Sequence, residues 1–153
     1  VSEYKVAVIM GSPNDRPKME PAAETLAAFG ITADVQVMSA HRSPARVAEF
    51  VGSARANGYS AIIAAAGMAA HLAGAAAAHT TLPVIGVPLS GGALNGVDAL
   101  YSTVQMPRGI PVATVAVDGA VNAALLVVQI LAVTDHALVA ALADDRAARA
   151  AAT

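Results

Sequence analysis

Five short apolar runs recur along the chain: Lys5 to Met10, Thr32 to Val37, Ala61 to Ala65, Pro83 to Val87 and Val112 to Val117. They are rich in Val and Ile and mostly apolar throughout instead of at every second position. A strand with one wet face alternates, whereas a strand covered on both faces does not, and cover on both faces is the condition of a parallel sheet. Parallel strands need long crossovers, usually helices. Segments of helical periodicity supply them, at roughly Lys18 to Phe29, Pro44 to Asn57, Ala69 to His79 and Val97 to Val104. Phe29-Gly30 and Asn57-Gly58 read as helix stops, because glycine accepts the left-handed position that a Cβ resists. Two more helices are expected after the fifth run. One, about Val121 to Val133, is apolar on nearly all faces and should be buried; the other, about 135–150, carries Asp144, Asp145, Arg146 and Arg149 and should be partly solvated. The pattern predicts an α/β fold, a three-layer αβα sandwich around a central parallel five-stranded sheet. With 153 residues, one domain spanning 1–153 is expected.

Composition narrows the function. Hydrophobic residues make up 56% of the chain and charged residues 13%, which excludes disorder. So few charges should leave apolar surface on a monomer, so a homo-oligomer is expected, with the last helix packing on a neighbouring subunit. A net charge of -2, 3% aromatics and no Trp give no basic footprint and no stacking platforms, so nucleic acid is not an expected partner. The absence of Cys rules out disulfides, thiolate metal sites and cysteine nucleophiles. The stretch from Ala61 to Ala78 is long enough to span a bilayer. It is mostly Ala and Gly, contains His71 and is interrupted by Gly67 and Gly74, so no membrane association is expected. Val1 to Lys5 shows no secretory pattern, and a cytoplasmic location is expected.

In an open parallel sheet, ligands bind beyond the carboxyl ends of the strands. After the first run comes Gly11-Ser12-Pro13-Asn14-Asp15, where backbone N–H groups and Ser12 could hold a phosphate. Asp15 would repel a phosphate; it suits ribose hydroxyls, or else caps the following helix. After the second comes Ser39-Ala40-His41-Arg42-Ser43-Pro44. Arg42 offers a fork for phosphate or carboxylate and His41 a proton carrier near neutral pH, unless the pair is simply an exposed loop. After the third, Gly67 to Gly74 brings backbone close to whatever lies above the sheet. His71, read as lying inside an apolar helix, is either a hydrogen-bonded core histidine or a catalyst. His79 and His136 lie near helix ends, and no pair of histidines has metal-ligand spacing, so no metal is expected. Pro88 to Gly92 and Met106 to Pro111 are the remaining loops, with Arg108 facing an anion or solvent. There is neither a dinucleotide fingerprint nor a nucleophilic serine elbow.

Val8-Ile9-Met10-Gly11-Ser12 with Asp15, Ser39-Ala40-His41-Arg42, Ala69-Ala70-His71-Leu72 and Val104 to Val112 occur in this order. With Gly86-Val87-Pro88 and Asn122 to Leu126, they resemble the N5-carboxyaminoimidazole ribonucleotide mutase family of purine biosynthesis over nearly the whole chain. The resemblance implies a flavodoxin-like fold, a homo-octamer, no metal or organic cofactor, and a small-molecule ribonucleotide substrate. It implies transfer of a carboxylate from the exocyclic nitrogen to ring carbon 4, with His41 as general acid and base. Substrate binding would fall to Gly11, Ser12, Asp15, Ser39, Ala40, Arg42, Gly67, Ala70, His71 and Leu72, with Ser12 and Arg42 on phosphate and Asp15 on the ribose or imidazole side.

Four positions depart from the family pattern. Arg16 stands where an aromatic is usual, Ala65 and Met68 where glycine is, and Ala73 where proline is. Met68 is expected to reshape or partly fill the pocket. Three other readings accompany the mutase: direct carboxylation of aminoimidazole ribonucleotide by carbon dioxide, action on another nucleotide-like heterocycle, and a non-catalytic nucleotide-binding oligomer.

Overall fold

A computed structural model describes residues 3–153. Its sheet holds five strands: β1 (Lys5–Met10), β2 (Thr32–Val37), β3 (Tyr59–Gly67), β4 (Val84–Leu89) and β5 (Ala113–Thr114). All pairings are parallel, in the spatial order β2-β1-β3-β4-β5. Six helices connect or follow them: α1 (Arg16–Ala28), α2 (Pro44–Ala54), α3 (Leu72–Ala77), α4 (Val97–Val104), α5 (Ala120–Ala132) and α6 (His136–Ala151).

The apolar runs lack alternation because their two faces enter two different cores. Val6, Val8, Met10, Ile63, Ile85 and Val87 pack with α1 and α5 through Met19, Leu26, Val127 and Val128. Ala7, Ile9, Ile62 and Ala64 pack with α2 and α3 through Val47, Val51, Leu72 and Ala76. Each core strand has both faces removed from water by these layers, and that burial is the dominant favourable contribution to folding. Gly30, at φ +71°, follows the C-cap Phe29 and ends α1 as expected, whereas α2 closes at Ala54, short of the expected Asn57, and Gly58, at φ +81°, ends the turn that follows it and leads into β3.

Several expected boundaries move. β3 and β4 run past the expected Ala61–Ala65 and Pro83–Val87 to Gly67 and Leu89. The expected six-residue fifth strand is only two residues long: its ladder is Ile85–Ala113 and Gly86–Thr114, extended by a Val115 amide bond to Gly86 O at 3.1 Å. Pro111 has no N–H to donate, and beyond Val115 the chain turns, with the Gly119 amide on Ala116 O at 2.9 Å. β2 is an edge strand and only half-buried, so its Asp34 and Gln36 are tolerated. Helix α3 starts at Leu72, not Ala69, after a tight turn in which Met68 takes a left-handed backbone (φ +52°) and the Ala70 amide bonds Met68 O at 2.8 Å. Helix α5 is buried along one side only, with Gln129 exposed. Helix α6 opens at Asp135, which accepts from the Ala137 amide at 3.0 Å, and buries only Leu138. Among the described residues, no helix is long and apolar enough to cross a membrane.

Candidate active site

The chain leaves β1 for β2 on one side and later enters β3 on the other, so the strand order reverses between β1 and β3. Loops diverging at such a switch point open a crevice above the carboxyl ends of the strands. A pocket of about 590 Å³ occupies it, walled by the loops after β1, β2, β3 and β4. A second cavity, of about 630 Å³, lies beside Arg55, His79 and Ile110 and shares no lining residue with the first.

Each wall is shaped locally. After β1, the Gly11 amide bonds Ala65 O at 3.1 Å, tying the loop to β3. Ser12 Oγ accepts from the Asn14 amide at 3.2 Å, which starts a 3-10 turn at Pro13 and leaves its own O–H free to donate. Asp15 precedes α1 but caps nothing with its side chain, so the capping alternative is overturned and the carboxylate faces the pocket. Partial burial raises its pKa above the ordinary value, offset in part by the Ser12 backbone and the Lys18 charge.

The β2 loop is closed by reciprocal serine contacts. Ser43 Oγ donates to Ser39 O at 3.0 Å and accepts from the Ser39 amide at 3.2 Å, while Ser39 Oγ accepts from the Arg42 amide at 3.1 Å. Ser43 is therefore spent on the loop and gives α2 no side-chain cap. The knot leaves His41 and Arg42 exposed on the pocket wall.

From the β3 loop comes His71. It is exposed and sits one residue before α3, so its reading as a core histidine inside a helix is corrected. The late start of α3 is the cause. The His41 and His71 rings meet with centroids 5.4 Å apart and planes inclined by 43°. Thirty positions separate them in sequence.

Gly11, Ser12, Asp15, Ser39, Ala40, His41, Arg42, Gly67, His71 and Leu72 all line the pocket. Ala70 does not: it is 2% exposed and turned inward, its amide on Met68 O at 2.8 Å. Met68 does line it and is 60% exposed, whereas Ala65 and Ala73 are buried and Arg16 lies outside the lining. Arg108 is exposed away from the pocket. Sequence reasoning passed over Asn14 and left Ser90, Gly91 and Gly92 without a role, though all four are in the lining. It also passed over Lys18 and Asp118, which bond Ser90. A polar residue directly after the fifth apolar run was the available signal for Asp118.

Residues 5–152 match the AIR carboxylase family. A relative from Brucella melitensis named N5-carboxyaminoimidazole ribonucleotide mutase is 54% identical over 94% of this chain and 90% of its own length. The protein of that name from Escherichia coli is 52% identical over 95% of this chain and 87% of its own. A Saccharomyces cerevisiae protein named phosphoribosylaminoimidazole carboxylase is 53% identical over 85% of this chain, a match spanning 23% of that longer protein. Among solved structures, Treponema denticola PurE superposes with a TM-score of 0.88 at 28% identity, covering 97% of this chain and 92% of that one.

Proposed function

The chain belongs to the AIR carboxylase family, and from that premise we propose that it is an N5-carboxyaminoimidazole ribonucleotide mutase acting in purine biosynthesis. The observation that carries the reading is the meeting of His41 and His71 in a pocket whose other walls offer Asp15, Arg42 and small Ala and Gly residues. The reaction needs a proton delivered to one atom and removed from another, with no redox partner. His41 as imidazolium protonates the exocyclic nitrogen while the N–C bond to the carboxylate breaks and carbon dioxide leaves. Carbon 4 then attacks carbon dioxide through the ring's electron pair, and the neutral imidazole takes the carbon 4 proton, so acid and base are restored together. His71, at ring-contact distance, orients His41 and closes its side of the site. Ala40, Ala66, Ala69 and Gly67 present no polar side chain on that wall, so it holds water weakly and leaves room for the gas beside the liberated amine. Ser12 and Arg42 hold the phosphate and Asp15 the ribose or imidazole side.

The test is a steady-state assay with N5-carboxyaminoimidazole ribonucleotide, beside one with aminoimidazole ribonucleotide and bicarbonate, using His41→Asn as control. The mutase reading expects turnover of the first substrate and a loss of about 10²-fold or more in the variant. No turnover by the wild type, or a variant retaining a tenth of the rate, refutes it. Direct carboxylation is the second reading, favoured by the similarity to the yeast carboxylase, and activity confined to the bicarbonate assay would select it. The proposal carries with it a cytoplasmic homo-octamer. Leu94, Val97, Tyr101 and Val104 are exposed on and just before α4, and Val139 on α6, apolar surface of the kind that subunit contacts cover.

A further inference from the structure

Ser90, Gly91 and Gly92 wall the pocket but perform no step in the proposed reaction. Gly91 and Gly92 stand at φ +146° and +65°. A pair of glycines loses much chain entropy on being fixed, so a loop of that composition keeps a shape only when something else holds it.

Ser90 is what is held. Lys18 Nζ donates to its carbonyl oxygen at 2.5 Å and to its hydroxyl at 2.9 Å. Asp118 accepts from the Ser90 amide at 2.9 Å and from its hydroxyl at 2.5 Å. All three polar groups of Ser90 are engaged, by residues 72 positions before it and 28 after it. Lys18 and Asp118 also pair with each other at 3.8 Å. Asp118 is fixed in turn: its backbone is left-handed (φ +59°) and its amide donates to Pro88 O at 2.8 Å. At the loop's other end Met68 presses on Gly92, where a Cβ would fall 3.2 Å from the Met68 Cγ and Sδ. Partial burial opposes ionisation of Asp118, but the Ser90 hydroxyl and amide and the Lys18 charge outweigh it and hold the carboxyl below its ordinary range.

We propose that Lys18 and Asp118 are positioning residues of the pocket: by clamping Ser90 they fix the Gly91–Gly92 wall, and with it ribonucleotide affinity, without touching the reacting atoms. The proposal rests on the mutase reading only for the ligand used to test it. In Asp118→Ala and Lys18→Met, KM for N5-carboxyaminoimidazole ribonucleotide should rise about tenfold with kcat within about threefold of wild type. Hydrogen exchange at the Gly91 and Gly92 amides should quicken by about tenfold or more. Asp118→Asn should fall between, because its carbonyl still accepts from Ser90, and it serves where the alanine variant fails to fold. Glu24→Ala, which removes an exposed charge from α1, should change neither quantity. A merely structural role would lower the melting temperature and leave KM alone. A KM within twofold of wild type in both Asp118→Asn and Lys18→Met, or unchanged glycine exchange, overturns the clamp. If the wild type does not turn the substrate over, the mutase reading fails, and the exchange measurement by itself decides the clamp.

Discussion

Met68 offers a way to weigh backbone strain against packing at the edge of the pocket. It stands at φ +52°, where a residue with a Cβ costs roughly 1–2 kcal/mol relative to glycine. Its side chain is 60% exposed, so about two-fifths of it is covered, and full burial of a Met is worth roughly 1.5–3 kcal/mol, which makes its packing contribution ~0.6–1.2 kcal/mol. Met68→Ala removes the packing and keeps the strain, and should destabilise by about 0.6–1.2 kcal/mol. Met68→Gly removes both, at a cost of roughly 0.5–1 kcal/mol from the greater freedom of glycine in the unfolded chain. The smaller side chain should therefore give the more stable protein: Gly above Ala by about 0.7 kcal/mol, or about 2 °C in Tm for a chain of this size. Urea unfolding of both variants at one protomer concentration measures the difference, since association shifts apparent stability. An Ala variant as stable as the Gly variant would refute the strain argument. Neither change removes a proton carrier, so kcat should stay within about threefold of wild type in both.

Gly86→Ala should destabilise by about 1–3 kcal/mol, because the new methyl would overlap Thr103 Cγ2 and lie 2.8 Å from Val112 Cγ1 in a closed part of the core. Adding Thr103→Ser should restore part of the loss in urea unfolding, since it deletes Cγ2 and keeps the hydroxyl that donates to Ala99 O at 2.7 Å. Tyr59 is pushed up to about 12 by burial first, then by its hydrogen bond to Asp34 and the charge there. Its folded pKa lies above the ordinary 10.0, so its contribution is whole below that value and is lost as pH rises from there through about 12. Tyr59→Phe should abolish the highest phenolate transition in an absorbance titration and flatten the alkaline fall in stability; a transition that survives the substitution would reassign it. Light scattering at micromolar concentration should give an octamer mass, and a monomer would contradict the reading of the exposed α4 surface.

The strands, their parallel arrangement and the loops that carry the pocket were legible because each depends on a local period. Val6 to Met10 must be covered on both faces whatever lies above and below, and Gly30 marks the end of α1 by its own conformational range. His41, Arg42, Ser12 and Asp15 could be placed at one end of the sheet for the same reason, since each follows a strand. What failed was local structure set by distant neighbours. The fifth run had the composition of a strand, yet β5 pairs over only two residues at the sheet edge. His71 looked like a core residue because nothing in an Ala-rich stretch announces a left-handed Met68, and with the helix start displaced the imidazole points out instead of in.

The sequence by itself determined that the chain is a wound parallel sheet with polar loops at the carboxyl ends of its strands, because hydrophobic period and glycine placement act within a few residues. Only the tertiary structure decided which loops meet. The strand order brings β1 beside β3 and sets the His41 and His71 rings 5.4 Å apart. It also closes Lys18, Ser90 and Asp118 into one clamp from three distant parts of the chain. Such meetings depend on register and packing across the whole sheet, and no window of sequence contains them.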